Sequence, residues 1–189
     1  MCQTITGGVM PGSKIERISL ALVATIGGRF TDTPVERLPD PGALRDWLAR
    51  YGLDVAGCSD ADLSAARELR EAVYDLVEAA ATGRPPRSAA LATVDTAANQ
   101  CDIPRKLVWD ERTGFHLSHG RFSTDQALTS IARDAVDLVT GPERDRLHQC
   151  EAETCGTVFI APAGGRPRRW CSSTTCGNRE RVRAFRTRR

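Results

Sequence analysis

Four cysteines near the end of the chain have the spacing of a metal site: Cys150-x4-Cys155, fifteen intervening residues, then Cys171-x4-Cys176. Thiolates are strong zinc ligands. Two pairs, each supplied by one turn, close a tetrahedron when a short insert lets them face each other. With sulfur in all four positions no coordination site is left for water or substrate, so one structural Zn2+ ion is expected and not a catalytic one. Neither pair has the C-x-x-C spacing of thioredoxin-like redox sites. A module this small also has too little apolar surface to fold around four free thiols. His148, two residues before Cys150, reads as a linker residue or an outer partner of the site.

The elements that position these ligands follow from the insert. Thr157-Val158-Phe159-Ile160 is strand-like, Gly164-Gly165 is a turn, and Arg168-Arg169-Trp170 returns, which predicts a β-hairpin between the two pairs. After Cys176 the sequence turns helical through Gly177-Asn178-Arg179-Glu180-Arg181-Val182. One pair on a turn and the other at a helix start resembles a treble-clef finger. On that helix Arg179, Arg183 and Arg186 lie at i, i+4, i+7 and are expected on one outward face. Val182 and Phe185 are expected to pack back on the hairpin, and Trp170 against the finger. Arg181 adds to the helix, and Arg166, Arg168 and Arg169 approach from the hairpin. Guanidinium forks suit phosphates and guanine edges, so DNA or RNA is the expected partner. The plainer alternative is a solvated basic tail. Asn178 reads as a helix-start cap.

Charge distribution supports an anionic partner. From residue 166 to 189 there are nine arginines against one acid, Glu180, a net of +8, so the other 165 residues carry −6 of the overall +2. The basic residues are 24 arginines and two lysines, Lys14 and Lys106, so arginine identity by itself says little. A length of 189 residues fits one ordinary domain plus a small module. No apolar run approaches the ~20 residues of a membrane span. No secretory signal pattern opens the chain. Seven cysteines, an odd number, argue against a disulfide framework. The expectation is a soluble cytoplasmic protein.

Ahead of the finger, residues 1–14 read as a flexible N-terminus. Residues 15–141 form the body, and 146–189 the finger. Ile18, Leu20, Leu22, Ala24 and Ile26 alternate with their neighbours and predict a strand. Asp40-Pro41 caps a short helix with Leu44, Trp47, Leu48 and Tyr51 on one face, stopped by Gly52. Ser59 with Asp62 opens a long helix striped by Leu63, Ala66, Leu69, Val73, Leu76 and Val77, ending at Gly83. Residues 87–100 predict an alanine-rich helix. Leu107-Val108-Trp109 and Phe115-His116-Leu117 predict a hairpin turning at Gly114. Ser123 and Gln126 form a capping box for a helix burying Leu128, Ile131, Ala135, Leu138 and Val139. The fold class is α+β: a mainly helical N-terminal domain with a few short strands, followed by the four-cysteine finger.

Other signals are weak. His116-x-x-His119 lacks a helical carboxylate partner, and Gly27-Gly28-Arg29 is read as a turn rather than an anion cradle. Trp47 and Trp109 are read as core residues, with a small-molecule pocket as the alternative, and Cys58 and Cys101 as small core residues. No catalytic triad, carboxylate pair, P-loop or complete dinucleotide motif is present, so no enzyme is expected.

Trp170-Cys171-Ser172 followed by Cys176-Gly177-Asn178-Arg179 resembles the signature of the CGNR zinc-finger family. The body resembles the ABATE domain, a family described as stress-induced transcription regulators. The similarity lies in Trp47-Leu48 through Gly52-Leu53, the helix from Ala65 to Ala72, and Ile131-Ala132-Arg133-Asp134-Ala135. The resemblance implies a bacterial-type regulator whose finger contacts nucleic acid and whose body senses a ligand or mediates assembly. The alternatives are an adaptor docking an acidic protein, such as transcription machinery, and a ligand-binding body with a purely structural finger. One departure stands out. Where the family's first strand resembles Asp-Leu-Val-Asn-Thr, this chain has Ala21-Leu22-Val23-Ala24-Thr25.

Overall fold

The computed structural model describes residues 17–103, 106–118, 122–164 and 168–187. The expected flexible N-terminus, Cys2, His119 and Arg166 lie outside the described residues.

The body is organised on α3 (Asp60–Thr82). Its start is fixed by a capping box: the Ser59 hydroxyl accepts from the Asp62 backbone N–H, and the Asp62 carboxylate accepts in return. Its end is set by Gly83, whose φ of 74° is open to glycine at little cost. Leu63, Ala66, Leu69, Val73, Leu76 and Val77 form the predicted stripe and are all buried. Against it pack α2 (Pro41–Arg50), capped by Asp40; α4 (Ser88–Ala98); and α5 (Thr124–Thr140), opened by the Ser123–Gln126 capping box. Leu128, Ile131, Ala135 and Leu138 of α5 are buried as expected, and Val139 is partly buried.

The predicted strand at 18–26 is instead α1 (Ile18–Val23), followed by the two-residue strand β1 (Ile26–Gly27). The alternation was shallow, because Ala21 and Val23 are apolar too. Residues 19–23 are buried on every side, and an element covered all round has no period to read. Its N-terminus is held from α5: Asp134 accepts from the Ser19 N–H at 2.9 Å and from Arg17 at 3.0 Å. Strand β1 pairs antiparallel with β2 (Val35–Glu36).

That pairing places Glu36 beside Arg70, a guanidinium only 3% exposed. Arg70 grips Glu36 with two hydrogen bonds of 2.8 and 2.7 Å and reaches the Thr25 hydroxyl at 3.1 Å. Burial alone raises the Glu36 carboxyl, but the Arg70 bonds and the Leu38 N–H overcome it and hold the group below its ordinary range.

The hairpin of β3 (Lys106–Asp110) and β4 (Gly114–Ser118) forms in the expected register, with Trp109 opposite Phe115. It is not core. Trp109 is 61% exposed and meets only the Phe115 ring edge-on at 4.7 Å among the ring contacts of the described residues. Trp47 is buried against Tyr51, as expected of a core residue. The two tryptophans therefore do not meet around a common pocket. Cys101 is exposed rather than core, while Cys58 is half-buried with its sulfur 3.4 Å from the Thr124 hydroxyl.

The finger begins with β5 (Leu147–Gln149), after a 3-10 turn at Arg144–Arg146, and continues through β6 (Val158–Ile160) and α6 (Cys176–Arg186). Strand β6 pairs with β5, which precedes the first cysteine, and not with the predicted return at Arg168–Trp170. That return reaches the hairpin through one backbone bond, Glu151 N–H to Arg169 O at 3.0 Å. Leu147 and Val158 belong to the body's own core cluster, so finger and body share one apolar interior.

Candidate metal centre and basic helix

Cys150 and Cys155 sit on the loop joining β5 to β6. Its turn closes with the Cys150 N–H on Thr157 O at 2.8 Å and the Cys155 N–H on Ala152 O at 2.9 Å. Cys171 lies on the chain before α6, and Cys176 is the first residue of that helix. The four Sγ atoms all lie within 4.8 Å of one another, and the Cys155–Cys171 and Cys171–Cys176 separations are 3.7 and 3.6 Å. A tetrahedron with Zn–S bonds of about 2.3 Å has edges of about 3.8 Å. The donor set and its spacing therefore fit one structural zinc ion, held by the loop of a hairpin and the start of a helix as in a treble clef.

The same spacing couples the titration of the thiols. Hydrogen bonds from Cys171 and from Thr157, working against burial, pull the Cys155 thiol down to about 4. The resulting thiolate, with burial, drives Cys171 far up, while burial followed by Cys155 takes Cys176 to about 11. Four sulfurs this close do not all ionise without a metal cation among them.

The shell around the sulfurs comes largely from residues expected to serve other roles. The Cys171 N–H donates to the Cys150 sulfur at 3.4 Å, and Arg179 Nη2 donates to the Cys176 sulfur at 3.5 Å. Gly177 lets the Trp170 ring approach closely: a Cβ there would stand 3.0 Å from it. Asn178 is not the helix cap; Thr175 holds that position, and Asn178 lies exposed in the first turn. His148 sits in β5, 6.2 Å from the Phe159 ring, outside the ligand cluster.

The three arginines expected to act as one outward face are divided, with Arg186 bordering the apolar pair. Arg179 and Arg183 turn toward the metal loop, where Arg179 meets the Cys176 sulfur and Arg183 pairs with Glu153. Val182 and Phe185, expected to pack back on the hairpin, are 43% and 62% exposed. With Asn178, Arg181 and Arg186 they form a shallow outward cleft. Arg179 and Arg183 both stay exposed, and each sets a charge-assisted contact beside the sulfur cluster. Arg168 lies over the Phe159 ring at 4.7 Å, and Arg169 pairs with Glu151 at 2.5 Å. Of the arginines assigned to nucleic acid, Arg181 and Arg186 belong to the outward face. Arg181 also touches Ser173 O at 3.3 Å.

A junction that sequence reasoning missed ties this centre to the body. The turn at Gly28-Arg29-Phe30 docks on the metal loop, with the Arg29 N–H on Cys155 O at 3.2 Å and the Phe30 N–H on Thr154 O at 3.3 Å. The Arg29 guanidinium stacks 3.9 Å over Tyr74 and pairs with Glu71 at 2.5 Å, while Gln149 donates to the Tyr74 hydroxyl at 3.2 Å. The glycine pair at 27–28 was the available signal. It marks a turn, but not what the turn touches.

A family model described as "Putative stress-induced transcription regulator", ABATE, matches residues 16–142, and the model of the CGNR zinc finger matches 146–189. The chain belongs to the ABATE family and ends in a CGNR zinc finger. A comparison with curated proteins found no match. In the CGNR stretch Cys176 is a metal ligand, Gly177 makes room for Trp170, and Arg179 supports the ligand sulfur. Ala21 and Ala24 of the ABATE domain fall in and just after α1, where Ala21 is buried and the Ala24 carbonyl accepts from Arg37 at 2.7 Å. Among the described residues no helix is long and apolar enough to cross a membrane.

Proposed function

We propose that this ABATE–CGNR protein is a regulator acting by binding rather than catalysis, and that it contacts nucleic acid through the outward face of α6. The observation that carries the reading is a helix anchored at its first residue by a metal ligand, with Arg181 and Arg186 exposed at the edges of one shallow cleft. Arg168 and Arg169 extend the basic surface beside the same centre. Rigid guanidinium groups on a fixed helix lose little entropy on meeting phosphates. The salt dependence of binding to a duplex, followed by fluorescence anisotropy, tests this. Contact with roughly three to six phosphates gives a log–log slope of about −3 to −5. The double variant Arg181→Glu with Arg186→Glu is expected to abolish binding while zinc content stays unchanged. Absence of binding to duplex or RNA at low salt refutes the proposal.

One observation favours a second reading, an adaptor for an acidic protein partner. Val182 and Phe185 lie at the centre of the outward face, and an apolar centre with a basic rim is the anatomy of a protein interface. A partner retained after complete nuclease digestion separates this reading from the first.

A further inference from the structure

We infer that the groove between α3, α4 and α5 is a docking site for α6 of a second copy of this chain. The groove measures about 550 Å3. Its floor is Leu69 and Leu128, its walls include Ala92 and Ala97, and Glu68 and Asp125 stand exposed at its rim. Neither rim carboxylate has an ion pair among the described residues, although Glu71, Asp75 and Glu78 farther along α3 are all paired.

Three features of α6 match this groove. Its outward stripe has the mixed character the groove lacks a partner for, with apolar Val182 and Phe185 flanked by Arg181 and Arg186. Opposite charges at the rim then set orientation, and apolar contact along Ala65, Ala92 and Ala97 supplies affinity. The extents are comparable: Asn178 to Arg186 on the stripe is about 12 Å of helix, and the groove runs along α4 from Ala92 to Ala97, about 8 Å, and on to Gln100 beyond its end. Finally, small residues in the wall let a helix axis approach closely. The chain's own α6 lines no part of its groove. It is held at the finger by Cys176 and by the Arg183–Glu153 pair. The occupant is therefore another copy, and because each copy carries one helix and one groove, reciprocal exchange closes a two-fold pair. Docking covers Arg181 and Arg186, so any one helix engages either a second copy or an anionic partner.

Sedimentation velocity of the zinc-loaded full chain over a concentration series tests the inference, with zinc content and circular dichroism as fold controls. A dimer that weakens with added salt is expected. Phe185→Asp and Glu68→Arg, both at exposed positions, are each expected to weaken it about tenfold or more, and combining Glu68→Arg with Arg181→Glu to recover much of the loss. A monomer at every concentration overturns the inference and leaves the groove to a small organic cation. An assembly indifferent to both single variants, or a swapped pair that recovers nothing, also overturns it. Nucleic-acid binding is measured separately by anisotropy, so failure of either proposal is seen independently of the other.

Discussion

Replacing Gly156 with alanine tests whether finger and body form one cooperative unit. Gly156 sits in the metal loop with φ at +68°. A side chain in that left-handed conformation costs about 1–2 kcal/mol. The added Cβ also stands 3.0 Å from the Arg29 Cβ and 3.1 Å from the Phe30 ring. The ring, 52% exposed, can swing away, but Arg29 is pinned by Glu71 and Tyr74. Overpacking against a fixed neighbour adds about 1 kcal/mol, the low end for such changes. The total is about 2–3 kcal/mol. With a urea m-value of about 2 kcal/mol/M, the unfolding midpoint of the zinc-loaded protein is expected to fall by about 1–1.5 M in a single transition. Phe30→Ala in the same background should return part of the loss, measured as a coupling energy in a double-mutant cycle. A midpoint shift below about 0.3 M refutes the docking geometry. A separate early transition of the finger, with the body unmoved, refutes the shared core.

Further outcomes follow from the same contacts. Arg179→Ala is expected to weaken zinc binding about three- to tenfold in competition with a chromophoric chelator, through loss of a charge-assisted bond to the Cys176 sulfur. Arg183→Ala, which removes an exposed pair, should change it less. Leu147→Ala removes a side chain 3% exposed in the common core and should cost about 2–5 kcal/mol of global stability by urea melt. In acid, Glu36 and Asp75 are decisive. For Asp75, burial raises the carboxyl, but bonds from Arg84 and Arg87 outweigh it and hold it below its ordinary range. Because both folded values are depressed, their stabilisation is complete above the ordinary carboxylate values of 4.5 and 3.8 and is lost as pH falls below them. Thermal melts across that range should therefore show falling stability that Glu36→Gln flattens.

The metal ligands and five of the six helices of the described residues were legible because their signals are local. Cysteine spacing fixes a tetrahedron, and Ser59–Asp62, Asp40 and Ser123–Gln126 carry their caps within a single turn. What escaped depends on partners distant in sequence. Strand β5 has only three residues, and nothing in Leu147-His148-Gln149 announces that it, rather than Arg168–Trp170, pairs with β6. Helix α1 is too short and too fully buried to show a period. The roles of the α6 side chains were misjudged because helical spacing names which residues lie together, but not what each one meets: Arg179 reaches the Cys176 sulfur and Arg183 reaches Glu153, while Val182 and Phe185 stay exposed.

The most direct test is native mass spectrometry of the purified chain, paired with amide hydrogen exchange before and after chelation. One zinc ion per chain is expected. Its removal should release protection most across residues 150–157 and 171–186 and at the docked turn around Arg29, and lower it in α3, whose core includes Leu147 and Val158. Protein without stoichiometric zinc, or a finger whose protection survives chelation, contradicts a sulfur-held metal as the organiser of this module.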